Sequence, residues 1–371
     1  MFADFSIPSV KLLRMSLSIG IVGLPNVGKS TLFNALTKNN VLAANYPFAT
    51  IEPNEGIVAV PDDRLQQLSD LYDGAPIVPA TVKFLDIAGI VAGAHKGEGM
   101  GNAFLSHIRE TAAIVQVVRA FEDSDIQHVD NHLDPRKDIE TINTELILAD
   151  LQTIENHLPK LNKQAKSDKD AKARMTLLEQ LKPKLDEGIL AINSGIELEE
   201  LSYLSLLTAK PFIYVFNVDE TALNDESKKN ELRALAPTEN VVFVSAKIEA
   251  EIAQLDGEDA EMFMQEYGLK ESGLVRLSRV GFSALGLQTY LTSGGKEVRA
   301  WTIKAGSTAP QAAGVIHADF ERGFIAAEVI NFDDLLECKT RPNAKKLGKV
   351  RTEGKAYVMQ PDDVVEFRFN V

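Results

Sequence analysis

Gly23-Leu24-Pro25-Asn26-Val27-Gly28-Lys29-Ser30-Thr31 places two glycines, a lysine and two hydroxyls at the spacing GxxxxGK[ST]. Glycine at these positions lets a backbone wrap around an anion with its N–H groups turned inward. Lys29 adds a point charge near the β- and γ-phosphates, and the Ser30 hydroxyl can ligate Mg²⁺. The chemistry indicated is the binding and polarising of a nucleoside triphosphate, with Lys29 as a candidate catalytic cation. A metal bound this way needs a carboxylate, and Asp86 in FLDIAG closes an apolar run with Gly89 three residues on. In this DxxG arrangement Asp86 serves the magnesium shell and the Gly89 amide senses the γ-phosphate. Thr50, in the polar stretch NYPFATIEPNEG, stands where a nucleotide switch places its magnesium-binding threonine.

Gly93 to Gly101 packs four glycines into nine positions. A loop of that composition is costly to order, and ordering it around a γ-phosphate is a natural use. The residue after Gly89 is Ile90, where many GTPases carry the glutamine that orients the attacking water. An aliphatic side chain cannot orient water, so hydrolysis must use another group or run slowly. On the base side, Asn217-Val218-Asp219-Glu220 follows FIYVF, and Ser245-Ala246-Lys247 follows the next apolar run. A guanine clamp reads NKxD. Here the lysine is Val218 and the closing aspartate is Glu220, so adenine is expected to fit better, with retained guanine binding as the alternative. Asn217, Val218, Ser245 and Ala246 are the base-side candidates.

These residues need a scaffold. Ser18–Gly23, 82–85, 114–118, Phe212–Val218 and Val241–Val244 are short runs rich in Val, Ile and Phe, separated by helix-permitting stretches. They predict a mostly parallel sheet covered on both faces, an α/β domain. From about 138 to 207 glycine and strand formers nearly vanish and leucines recur among charges, which predicts a helical hairpin inserted into that domain. Between Lys160 and Lys184 eight basic residues face three acidic ones, either a solvated hairpin tip or a polyanion-contacting patch. From 287 onward short alternating segments with turn glycines predict a small α+β unit. The expected organisation is an extension at 1–14, a P-loop domain at 15–137 and 208–286, the helical insert at 138–207 and the C-terminal domain at 287–371.

The composition narrows the class. With 371 residues, 45% hydrophobic and 25% charged, the chain is neither disordered nor a repetitive fibre. A net charge of −14 argues against an indiscriminate polyanion binder. The single cysteine, Cys338, excludes an internal disulfide and favours a reducing compartment. No apolar run is long enough to span a bilayer, so no membrane partner is expected. The first fourteen residues do not read as a secretion signal.

GLPNVGKST, NYPFATIEPNEG, DIAGIVAGAHKGEGMGNAFLSHIRE, NVDE, SAKIEAE and the ending EVRAWTIKAGSTAPQAAGVIHADFERGFI together resemble the YchF/Obg-like ATPase family. The resemblance runs from Met15 to Val371. It implies a G-domain with a coiled-coil insert and a C-terminal TGS domain of the β-grasp type, ATP preferred over GTP, a cytoplasmic location and association with the ribosome. It also implies that Asn26, Val27, Gly28, Lys29, Ser30 and Thr31 line the phosphates, that Ser30 and Thr50 bind Mg²⁺ and that Asn26 could admit an activating K⁺. His128 in DSDIQHVD matches a loop histidine proposed to replace the missing glutamine, although its spacing alone does not set it apart from the other histidines. Gln116 stands where some relatives carry histidine. The expected function is a slow ATPase switch; the alternatives are a GTPase, or a nucleotide-gated RNA- or ribosome-binding module with incidental hydrolysis. A monomer is expected.

Overall fold

The computed structural model describes residues 17–38, 54–87, 100–122 and 133–370. The strand and helix elements begin with β1 (Ser18–Gly23), α1 (Lys29–Lys38), β2 (Glu55–Val60), α2 (Asp63–Leu71), β3 (Ile77–Val78), β4 (Ala80–Asp86), α3 (Met100–Glu110) and β5 (Ala113–Ala120). There follow α4 (Pro135–Gln164), α5 (Lys169–Asp186), β6 (Phe212–Val218), α6 (Glu226–Arg233), β7 (Val241–Val244), α7 (Ala246–Ile252), α8 (Gly257–Glu266) and α9 (Gly273–Ala284). The last part holds β8 (Leu287–Ser293), β9 (Val298–Lys304), α10 (Ala309–Ile316), α11 (Ala318–Arg322), β10 (Phe324–Asn331), α12 (Phe332–Cys338), α13 (Arg341–Lys346), β11 (Arg351–Glu353) and β12 (Asp363–Phe369).

The chain divides into two compact units, one with residues up to Val58 and Lys83–Ala284, the other with Ala59–Val82 and Leu285–Val371. In the first, six strands lie in the order β2-β4-β1-β5-β6-β7. β1 runs parallel to β4 and β5, and β5, β6 and β7 continue in parallel. Every residue of β1, β5 and β6 is buried, as expected of strands covered on both faces. The register pairs Ile21 with Asp86, Gly23 with Val117 and Asn217 with Val244. The carboxyl ends of β1, β4, β6 and β7 thus share one edge, where open α/β sheets bind ligands.

The helical insert is an antiparallel pair, α4 packed on α5, each opened by an aspartate cap, Asp134 and Asp168. Beyond Asp186 the segment predicted as helical continues as turns with two 3₁₀ helices before β6. Asp150 of α4 fixes that return: its carboxylate accepts from the Leu207 and Thr208 amides at 2.7 and 2.8 Å and from the Thr208 hydroxyl at 2.7 Å.

In the second unit the strand order is β11-β10-β12-β8-β9-β3, with β8 and β9 antiparallel and β12 parallel to β8. α10 buries Ala309, Ala312 and Ala313 into a core with Tyr290, Phe324 and Val329, the β-grasp arrangement. One boundary differs from the sequence expectation. The sequence places segment 59–82 with the P-loop domain, but it supplies α2 and β3 to this unit: β3 pairs parallel with β9, and Arg64 bridges Asp62, Asp362 and the Pro361 carbonyl. These contacts link residues almost 300 positions apart, so no local pattern announces them.

Candidate functional site

The loop from Leu24 to Gly28 joins β1 to α1, and its shape follows from close approaches. Gly23 lies where a Cβ would meet the Val117 carbonyl oxygen at 3.0 Å. Asn26 and Gly28 both take positive φ, 63° and 91°. Gly28 opens the first helical turn, its carbonyl accepting from the Leu32 amide at 2.9 Å. Val27, Leu32 and Phe33 are buried beneath, while Asn26, Ser30 and Thr31 face outward. The loop therefore holds its apolar residues against the sheet and presents its polar ones, together with the amino end of α1, to solvent.

Lys29 and Asp86 meet. The Lys29 Nζ donates to Asp86 Oδ1, and both side chains are mostly covered. Asp86 is held from behind by its own amide, which donates to the Asn54 carbonyl at 2.9 Å, while the following amide, Ile87, donates to Ile21 at 3.1 Å. The ammonium expected at the phosphates and the carboxylate expected in the metal shell thus stand at one point, with Ser30 on the adjoining turn. Ser30 and Asp86 are hard oxygen donors, the type Mg²⁺ takes. Thr50, Gly89 and His128 lie outside the described residues. Gln116 is fully buried in β5, reaching the Asp138 carbonyl at 3.5 Å, and its Oε1 has no hydrogen-bond partner among the described residues.

Asn217 braces the base side. Its Nδ2 donates to the Val27 carbonyl at 2.9 Å and its Oδ1 accepts from the Ala246 amide at 2.9 Å. One buried side chain thereby ties the phosphate loop to Ser245-Ala246-Lys247. Val218 is buried. Asp219 faces a turn, accepting from the Thr221 hydroxyl at 2.6 Å and the Ala222 amide at 2.9 Å, bonds that hold its carboxyl below the usual range. Glu220, the residue in place of the guanine-reading aspartate, pairs with Lys247 at 3.1 Å. Lys247 and Glu220 were visible as members of their motifs, but their pairing was not.

The burial of two charged residues, Lys210 and Glu249, is not readable from the sequence. Lys210 donates to the carbonyls of Ile108 at 2.7 Å and Arg109 at 2.9 Å and to that of Thr111, closing the carboxyl end of α3. Burial, with the Arg109 charge adding, brings its ammonium down to about 8. Glu249 sits in α7, and burial pushes its carboxyl up to about 7. A lone lysine before a proline and a glutamate in a charged helix give no sequence signal of burial.

A glycine loop wrapped over a strand end, a lysine–aspartate pair across two parallel strands and an asparagine brace to a Ser-Ala-Lys loop define a P-loop nucleotide-binding protein of the GTPase-like class. The comparisons agree. A family model described as 50S ribosome-binding GTPase matches residues 18–149, and the C-terminal model of the YchF GTPases, described as a protein of unknown function, matches 287–370. A protein named ribosome-binding ATPase YchF from Bacillus subtilis (strain 168) is 53% identical over 366 residues, covering 96% of this chain and all of that one. Its namesake from Escherichia coli O157:H7 is 52% identical over 363 residues, with the same coverage. The structure titled Schizosaccharomyces pombe YchF GTPase superposes with a TM-score of 0.85 at 39% identity, covering 95% of this chain and 97% of that one. The chain belongs to the YchF family.

Proposed function

We propose that this protein is a Mg²⁺-dependent P-loop switch that binds ATP, hydrolyses it slowly and associates with the ribosome in the cytoplasm. The observation that carries the adenine assignment is Glu220. The side chain at the position of the guanine-reading carboxylate is longer by one methylene and leans toward Lys247 in an exposed ion pair, so no carboxylate is held fixed for guanine's N1–H and amino group. The relatives named ribosome-binding ATPase support the same reading.

Within it, Asn26 to Thr31 enclose the phosphates and Lys29 neutralises charge that builds on the γ-phosphoryl oxygens as the bond to its leaving group loosens. Ser30, Asp86 and Thr50 would hold Mg²⁺, which would supply charge neutralisation to the triphosphate. Gly89 contacts the γ-phosphate, Val218, Ser245 and Ala246 border the base, and His128 assists the attacking water in place of glutamine. Asn26 is the residue through which K⁺ would stimulate turnover. Comparing the affinities of ATP and GTP analogues by calorimetry in magnesium tests the assignment. About tenfold tighter ATP binding is expected, and a tenfold preference for GTP would overturn it.

A second reading, a nucleotide-gated ribosome-binding module, is favoured by the hairpin. Lys160, Lys163, Lys166, Lys169 and Lys172 are all exposed near its turn, and among the described residues none of them pairs with a carboxylate. That is the electrostatic footprint of a polyanion contact on an otherwise acidic chain.

A further inference from the structure

The loop Ser245-Ala246-Lys247 leads into α7, a helix of only seven residues. So short a helix has little stability of its own, and its place is set by what grips it. Two grips come from the nucleotide side, Asn217 on the Ala246 amide and Glu220 on the Lys247 ammonium. The third comes from behind. Glu249, one turn into α7, donates its own amide to the Ser245 carbonyl at 2.9 Å, and its side chain crosses to α9, where Oε1 accepts from the Gly273 amide at 2.6 Å.

The surroundings are built around that carboxylate. A Cβ on Gly273 would lie 2.6 Å from Val244 Cγ1, 3.0 Å from Glu249 Oε1 and 3.2 Å from the Phe243 carbonyl, so only glycine lets α9 start against the end of β7 with the carboxylate between. Glu249 is 2% exposed; the Ser272 side chain and the Leu274 amide also stand near its carboxylate, but among the described residues its Oε2 completes no hydrogen bond. An acid kept in so costly a place needs a compensating role, and a helix packed only for stability would do better with an apolar side chain there. Among the described residues the hydrogen bonds of Lys29, Asp86 and Asn217 go elsewhere, and the link from Glu249 to the base-side loop runs through the backbone of Ser245.

We infer that Glu249 is a positioning residue for base recognition: by holding the first turn of α7 to the start of α9, it fixes Ser245, Ala246 and Lys247 against the purine. This rests on the reading of the chain as an ATP binder. The inference separates the two ends of the ligand. The base is read by the loop that Glu249 holds, whereas the phosphates are read by the loop after β1.

The test is a pair of titrations in magnesium, one with ATP and one with inorganic tripolyphosphate, on the full chain and on Glu249→Ala, Glu249→Asp and Glu249→Gln. Aspartate keeps the charge but falls one methylene short of the Gly273 amide, and it serves if the alanine variant does not fold. Alanine and aspartate should weaken ATP by about tenfold while leaving tripolyphosphate within about twofold, and glutamine, which retains the acceptor, should restore most of the ATP affinity. Unchanged ATP affinity in both variants, or equal loss of both probes, overturns the inference. A parent chain that binds tripolyphosphate but not ATP would instead overturn the adenine reading itself.

Discussion

Gly28 and Asn217 occupy adjoining space so closely that a Cβ on Gly28 would stand 2.3 Å from Asn217 Nδ2. The φ of 91° at Gly28 would strain any other residue as well. The phosphate loop is therefore shaped from two directions, by its own backbone and by an asparagine 190 positions away that bonds to Val27. Gly28→Ala should cost about 1–3 kcal/mol of stability and weaken ATP binding by more than tenfold. Asn217→Ala should do likewise through two lost bonds. Urea unfolding with nucleotide titration checks both, and wild-type affinity in either variant would show that the brace is dispensable.

Replacing Lys29 with alanine removes the ammonium that meets Asp86 and the charge expected at the γ-phosphate. Steady-state phosphate release should fall by at least about a hundredfold. Turnover at the parental rate would exclude Lys29 from catalysis.

Glu249 makes stability depend on pH. Its carboxyl is raised from 4.5 to about 7 in the folded chain, so between those values the folded state binds more protons than the unfolded state. Stability present below pH 4.5 is then lost as pH rises through 7, by roughly 3 kcal/mol if nothing else titrates. Urea unfolding at pH 5 and pH 8 should show that loss in the parent and a flatter profile in Glu249→Gln. Identical profiles would mean that the carboxyl titrates normally.

Asp150 anchors α4 to the segment entering β6 through three short hydrogen bonds. Asp150→Ala leaves the two buried amides and the Thr208 O–H without an acceptor, although that hydroxyl still accepts from the Ala191 amide, and should destabilise the chain by about 3 kcal/mol. Thermal unfolding reads the effect, and a loss below about 0.5 kcal/mol would mean that water replaces the carboxylate.

Replacing Lys163, Lys166 and Lys169 with glutamate reverses the charge near the hairpin turn. Co-sedimentation with ribosomes at low salt should drop, and the salt dependence that remains should be shallower than the parent's. An unaltered sedimentation profile would place the contact elsewhere.

The phosphate loop was legible because its information is local: nine consecutive residues carry the glycines, the lysine and the hydroxyl between an apolar strand and a helix. Asp86, the strand segments and the boundaries of β6 and β7 were legible for the same reason. Glu220 could be recognised as a departure from the guanine motif, but its partner Lys247 could not, because 27 positions separate them. The burial of Lys210 and Glu249 left no trace in their neighbours, since whether a charged side chain is covered depends on elements distant in the chain.

By itself, then, the sequence determined where the glycine-rich loop lies and which strand ends surround it, through periodicity and turn chemistry that act over a few residues. Only the tertiary structure decided that Lys29 meets Asp86, that Asn217 joins two loops and that residues 59–82 complete the C-terminal sheet. Those pairings are set by strand order and register, which emerge when distant segments compete to bury the same apolar surface.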